Sequence, residues 1–154
     1  MNKVTFKGIT KENFMQIVKL SNTLSDAQKR CVATNERSLA QAYVNQDKAW
    51  PRAIYLDDTP IGFIMLNTSP QDILKEDYPA LDVWRLMIGG PYQSKGYGKQ
   101  ALDLVMSIAK EKKMKTVYLS CDMEGPMPYQ FYIKYGFIDT GIMDEDEEIL
   151  KKYV

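Results

Sequence analysis

Between Leu81 and Met114 the chain changes its apolar period twice. Leu81-Asp82-Val83-Trp84-Arg85-Leu86-Met87-Ile88 is an apolar run of strand length, Gly89 to Gly98 is a glycine-bearing turn, and Ala101, Leu102, Val105, Ile108 and Ala109 then recur at helical spacing. Upstream, residues 3–9 alternate and predict a first strand. Thr10 can cap a helix whose apolar positions are Phe14, Ile17, Val18 and Leu24. A second helical stretch runs from about Ser25 to Tyr43 in one or two pieces and turns Val32, Leu39, Ala42 and Tyr43 inward. Asn35-Glu36-Arg37-Ser38 interrupts it with capping residues. Trp50–Leu56 and Pro60–Asn67 predict a hairpin across Asp57-Asp58-Thr59, and Thr68–Pro79 reads as a connection with one helical turn. Downstream come a buried strand, Thr116–Cys121; a loop, Asp122–Pro128; and a short helix, Tyr129–Tyr135, closed by Gly136. A strand, Phe137–Met143, a turn at Asp144-Glu145-Asp146 and a last strand, Glu148–Val154, complete the chain.

Strands and helices in this order predict a single α/β domain over residues 1–154, with an antiparallel first half. The helix after Gly98 makes a right-handed crossover that leaves the strands on either side of it parallel. A chain of 154 residues buries a core large enough to fold alone. Its 20 basic and 20 acidic residues cancel, which argues against nucleic acid as a partner. No apolar run approaches a membrane span and the start lacks a signal-peptide core, so the expected location is the cytoplasm. Cys31 and Cys121 are far apart and read as buried thiols. With no histidine in the chain, no metal site is expected and any general base must be a carboxylate, a tyrosine or a water.

A strand, a glycine turn and a helix together make an anion site, because the first amides of the helix lack partners and sit at its positive end. Gly96 and Gly98 bracket that point, with Lys95 and Lys99 beside them. A P-loop is excluded, since Gln93 and Gln100 stand where it needs glycine and Ser or Thr. Gly96-x-Gly98-x-x-Ala101 fits a permissive dinucleotide fingerprint, but seven residues separate it from the strand it should follow. The third pattern is Gln93-x-x-Gly96-x-Gly98. It resembles the Gln/Arg-x-x-Gly-x-Gly/Ala turn of the GNAT-type acetyl-CoA-dependent N-acetyltransferases. Phe131-Tyr132-Ile133-Lys134-Tyr135-Gly136-Phe137 is similar to that family's late Tyr-x-x-x-Gly-Phe segment, and the order of elements agrees over nearly the whole chain. More narrowly, residues 32–43 and 84–88 look like bacterial members that acetylate spermine and spermidine.

The resemblance implies a mixed central sheet of about seven strands with flanking helices, acetyl-CoA as co-substrate, a primary amine as acceptor, with a polyamine favoured, and transfer by direct attack in a ternary complex. Homodimers are frequent in the family. Carried over by position, Leu86, Met87 and Ile88 lie along the thioester, with an amide near Ile88 on the oxyanion. Gln93, Ser94, Lys95, Gly96, Tyr97, Gly98 and Lys99 surround the pyrophosphate. Tyr132 takes the place of the acid that protonates the departing thiolate; on its own it reads as one more core aromatic among ten tyrosines. Where some relatives carry an acid this chain has Trp84, and the nearest carboxylate on the same strand face is Asp82. Asp82 and Glu36 are the candidate bases, Glu36 being readable also as a first-turn acid that stabilises its helix or as a ligand for a substrate cation. Six acids between Asp139 and Glu148 read as a solvated hairpin tip or as an attractor for a polycation. Acetylation of another amine, and coenzyme A binding without turnover, stay open as alternatives.

Overall fold

The computed structural model describes residues 2–123 and 128–154, so the predicted loop 122–128 lies mostly outside the described residues. Its strands are β1 (Val4–Lys7), β2 (Ala49–Leu56), β3 (Thr59–Asn67), β4 (Ala80–Ile88), β5 (Thr116–Cys121), β6 (Ile138–Asp144) and β7 (Glu147–Tyr153). Helices α1 (Phe14–Leu20), α2 (Asp26–Lys29) and α3 (Asn35–Val44) precede β2, α4 (Tyr97–Glu111) links β4 to β5, and α5 (Tyr129–Tyr135) precedes β6. They surround one seven-stranded sheet in the order β1-β2-β3-β4-β5-β7-β6. All pairs are antiparallel except β4 with β5, as the crossover helix requires.

Each face of the sheet carries its own core. Ile17, Leu20, Leu24 and Ala42 from α1, its exit and α3 meet Ala53, Phe63, Met65 and Met87 on one face. On the other, Ala101, Leu102, Val105 and Ala109 of α4 meet Ile54, Ile64, Leu66, Leu81 and Val83, with Tyr132 and Phe137 alongside. Burying a side chain such as Leu102 there is worth roughly 1.5–3 kcal/mol. The first core covers β2, β3 and β4 and stops there.

Two details of β4 shape everything downstream. Met65 pairs with Arg85 and Leu66 with Val83, so Trp84 is an extra residue in the strand, a β-bulge. Leu81 and Val83 before it, and Leu86 and Ile88 after it, all face the α4 core, which strict alternation would forbid. Secondly, β4 pairs with β5 only through Ala80–Val83 against Thr116–Leu119. Past that point β4 follows β3 to Ile88, β5 follows β7 to Cys121, and the two strands part.

The first helical region departs from the sequence reading. Thr10 and Asn13 exchange hydrogen bonds (Thr10 N–H to Asn13 Oδ1, 2.8 Å; Asn13 N–H to Thr10 Oγ1, 3.3 Å), making a turn, and α1 starts only at Phe14. Phe14 is 41% exposed and Tyr43 75%. The inward positions of α3 are Asn35, Ser38 and Ala42, one helical step away from Tyr43. Asn35–Ser38 opens α3 instead of interrupting it: Thr34 caps the helix, and Asn35 donates to the Ile17 carbonyl at 2.7 Å. Cys121 is buried, whereas Cys31 is only half-buried.

Candidate active site

The parting of β4 and β5 opens a cleft of about 820 Å³. One wall is backbone. Gly89 N–H donates to the Ile61 carbonyl at 2.8 Å. Because successive amides point to opposite sides of a strand, the Met87 amide also faces β3, while those of Leu86 and Ile88 face the gap. The Gln93 side chain fixes the end of this wall. Its Nε2 donates to the Ile88 carbonyl at 2.9 Å, and its Oε1 accepts from Gln28 Nε2 of α2 at 3.1 Å. Beyond it Gly96 is the N-cap of α4 at φ +87°, a conformation that disfavours a β-carbon, and no side chain caps the helix. The first amides of a 15-residue helix therefore point at the cleft with the dipole behind them. Ser94, Gly96, Tyr97, Gly98 and Lys99 line this end, with Lys99 held in an exposed ion pair to Asp103 at 3.2 Å. Lys95 is exposed and outside the lining.

The other wall is made of charged side chains. In register, Asp82 lies beside Tyr118, and Tyr118 beside Lys151, so Asp82, Tyr118, Ser120 and Glu147 share one face of the sheet, away from the α4 core. Asp82, Asp144, Glu147 and Arg85 all line the cleft. Burial pushes the Asp82 carboxyl up to about 7; Arg85 opposes the shift, and Asp144 and Glu147 add to it. Glu147 is also raised, by burial first, while a Ser120 hydrogen bond and Arg85 hold it back. Arg85 lies 5.9 Å from the Trp84 ring centre and gives its Nη atoms to the Trp84 carbonyl (2.9 Å) and to Gln41 Oε1 (3.0 Å).

Tyr132 reaches the cleft from α5, on the α4 side of the sheet. It packs edge-on against Phe137 (ring centres 5.8 Å apart) and against Phe131 at 5.3 Å. Its residue surface is 6% exposed, and burial raises its hydroxyl pKa well above the ordinary tyrosine value. The phenol thus stays protonated in any physiological buffer, as a hydrogen-bond donor at the edge of the cleft. Burial likewise pushes the Cys121 thiol, at the end of β5, up to about 12, which makes it a poor nucleophile.

A backbone-lined gap, an uncapped glycine-led helix and a buried phenol are the parts an acyl transfer from a thioester calls on. The sequence model of the Acetyltransferase (GNAT) family matches residues 18–137. The chain belongs to the GNAT acetyltransferase family. It is 28% identical over 151 residues to the spermine/spermidine N(1)-acetyltransferase of Bacillus subtilis (strain 168), covering 94% of each chain. Among solved structures it is similar to the PaiA N-acetyltransferase of Thermoplasma acidophilum in complex with coenzyme A (TM-score 0.70, 18% identity, 99% of both chains). It is similar also to a GNAT family acetyltransferase of Elizabethkingia anophelis with acetyl-CoA bound (TM-score 0.66, 17% identity, 100% of both). The seven-stranded mixed sheet with flanking helices is thus the GNAT fold.

Within this GNAT frame the cleft brings together Asp82, Tyr132, Leu86, Met87, Ile88, Gln93, Ser94, Gly96, Tyr97, Gly98 and Lys99. It does not bring in Glu36, which is exposed on the first turn of α3. Met87 lines the cleft as well, with its amide on the β3 side. Sequence reasoning passed over Arg85, Gln28 and Glu147. Glu147 had one available signal, since residues 147, 149, 151 and 153 alternate with the buried Leu150 and so lie on the face opposite it. No helix among the described residues is long and apolar enough to cross a membrane.

Proposed function

We propose that this GNAT acetyltransferase moves the acetyl group of acetyl-CoA to a primary amine, with a polyamine such as spermine or spermidine as acceptor, by direct attack in a ternary complex. The observation that carries the acceptor class is the charge of the open side of the gap. Asp82, Asp144 and Glu147 line it against a single arginine whose Nη atoms are already engaged. An acidic mouth raises the local concentration of a polycation. The Bacillus subtilis relative named for spermine and spermidine points the same way.

The residues present fit the donor: the α4 amides from Gly96 onward suit the pyrophosphate, and the gap-facing amides of Leu86 and Ile88 suit the acyl carbonyl. Bound acetyl-CoA supplies the activated thioester. An alkylammonium of pKa near 10.4 costs about 4–5 kcal/mol to deprotonate at pH 7, so a base is useful. Asp82, with its pKa moved up to about 7, takes that proton through intervening water, since strand spacing sets it back from the Ile88 amide, and the freed lone pair of the nitrogen then bonds to the acyl carbon. The amide of Ile88 holds the negative charge that develops on the carbonyl oxygen. Tyr132 donates its hydrogen to the sulfur as the carbon–sulfur bond breaks, and the second proton, shed by the nitrogen as the amide forms, restores the phenol. The test is thiol release from acetyl-CoA near pH 8, with and without spermine. Release that depends on spermine and runs well above background is expected. Release at background with spermine but not with other primary amines would remove the polyamine assignment.

A further inference from the structure

The six acids of the β6–β7 hairpin look alike in sequence and are separated by the structure. Asp139 accepts hydrogen bonds from the Tyr129 hydroxyl at 2.6 Å and the Gly141 amide at 2.9 Å, and Glu148 shares a hydrogen bond with Asp139. Those two fasten the hairpin to α5. Glu145 and Asp146 are exposed at the tip, outside the cleft lining. Asp144 lines the cleft from an exposed position, and Glu147 alone both lines it and is half-buried.

Glu147 is held in place by its backbone and left free at its carboxylate. It stands opposite Asp144 at the mouth of the hairpin, one residue from the Cys121–Glu148 pair that ends the β5–β7 ladder. The one hydrogen bond to its side chain among the described residues is a long one, from Ser120 Oγ at 3.4 Å. No ion-pair partner reaches it among the described residues. Arg85, the arginine of the cleft, is turned toward α3 by Gln41. Glu147 and Asp82 both line the cleft on the same face of the sheet, Asp82 on β4 just before it parts from β5 and Glu147 on β7, the next strand beyond β5. A half-buried carboxylate with spare acceptor positions and no ion pair in contact, only the longer-range pull of Arg85, can be completed by an ammonium group.

We propose that Glu147 is a specificity-determining residue for the acceptor: its carboxylate binds a second ammonium group of the amine while Asp82 faces the one that reacts. This rests on the polyamine reading above. It explains how the site favours a polyamine over a monoamine that carries the same reacting end.

The experiment compares kcat/KM for spermine with kcat/KM for butylamine in wild type, Glu147→Gln and the tip variant Asp146→Asn. Glutamine keeps the shape and removes the charge, so a folding defect is not expected, and a merely structural role would lower both substrates together. The spermine-to-butylamine ratio is expected to fall about tenfold in Glu147→Gln, the scale of one charge-assisted hydrogen bond lost, and to stay within about twofold in Asp146→Asn, an exposed site. A wild type that prefers spermine together with an unchanged ratio in Glu147→Gln overturns the role of Glu147 and leaves the polyamine reading standing. A wild-type ratio near one, or no transfer to spermine, overturns both.

Discussion

The two walls of the cleft are built from different materials. On the α4 side the contacts offered are main-chain groups: the Leu86 and Ile88 amides, the uncapped first turn of α4, and Gln93 tying the Ile88 carbonyl in place. On the opposite side they are carboxylates and a guanidinium carried on β4 and the β6–β7 hairpin. Main-chain groups are the same whatever the side chains, so that wall suits an invariant donor. Side chains are exchangeable one at a time, so the other wall is where acceptor choice can change without loss of the fold. Tyr132 belongs to neither, reaching the gap from α5, which meets α4 through Phe131 at Gly98 and through the Tyr135 hydroxyl donating to Asp103 at 2.7 Å.

The comparison can be broken most forcefully at Tyr132. In Tyr132→Phe, turnover is expected to drop about a hundredfold or more, the usual scale for a lost general acid, while the Kd for acetyl-CoA by calorimetry stays within about threefold. A Kd that collapses in parallel would make Tyr132 a packing residue of the donor wall.

Asp82→Asn sharpens the acceptor side. Turnover is expected to fall roughly ten- to hundredfold. The limb of the pH profile near 7 should disappear, since Asp82 titrates at about 7 and must be ionised to act. Stability moves the other way. Because the folded carboxyl is raised above its unfolded value, the wild type is most stabilised by this group below about pH 4 and loses that contribution as pH rises through 7. Above pH 7 the asparagine variant should be more stable by on the order of 2 kcal/mol, about half the full linkage value because the group keeps some solvent contact. Thermal melts at pH 4 and pH 8 check this, and equal differences at both would contradict it.

A smaller effect is expected at Gly96, where a methyl group meets open space but must adopt φ +87°. Gly96→Ala should cost about 1–2 kcal/mol in backbone strain. It should weaken acetyl-CoA up to about tenfold, leaving the preference among amines alone. Smallest of all is Glu36→Gln, expected to change kcat/KM for spermine by less than about twofold because Glu36 is exposed away from the cleft. A tenfold loss there would show that α3 reaches the acceptor.

How far the sequence could be read follows the same division. The turn at Gln93, Gly96 and Gly98 was visible because main-chain chemistry demands glycine at fixed spacing. The element order and the parallel join followed from apolar period alone. The acceptor wall was harder. Asp82 was reachable by strand alternation, but Glu147 lay in an acid run whose members differ only in which face of β7 they occupy. Which face meets the cleft depends on the Trp84 bulge and on the register of β7, both tertiary facts. Tyr43 is exposed for a related reason: Asn35 and Ser38 are polar yet buried by hydrogen bonds, so the inward stripe of α3 is not its apolar stripe.

The claim that the two walls serve different substrates is tested most directly by a crystal structure with coenzyme A and spermine bound together. The account predicts the pyrophosphate on the amides of Gly96 to Gly98, with spermine entering from the face that carries Asp82 and Glu147 and its reacting nitrogen near the Ile88 amide. Spermine bound on the α4 side, or a coenzyme whose pyrophosphate lies away from the α4 N-terminus, would contradict it.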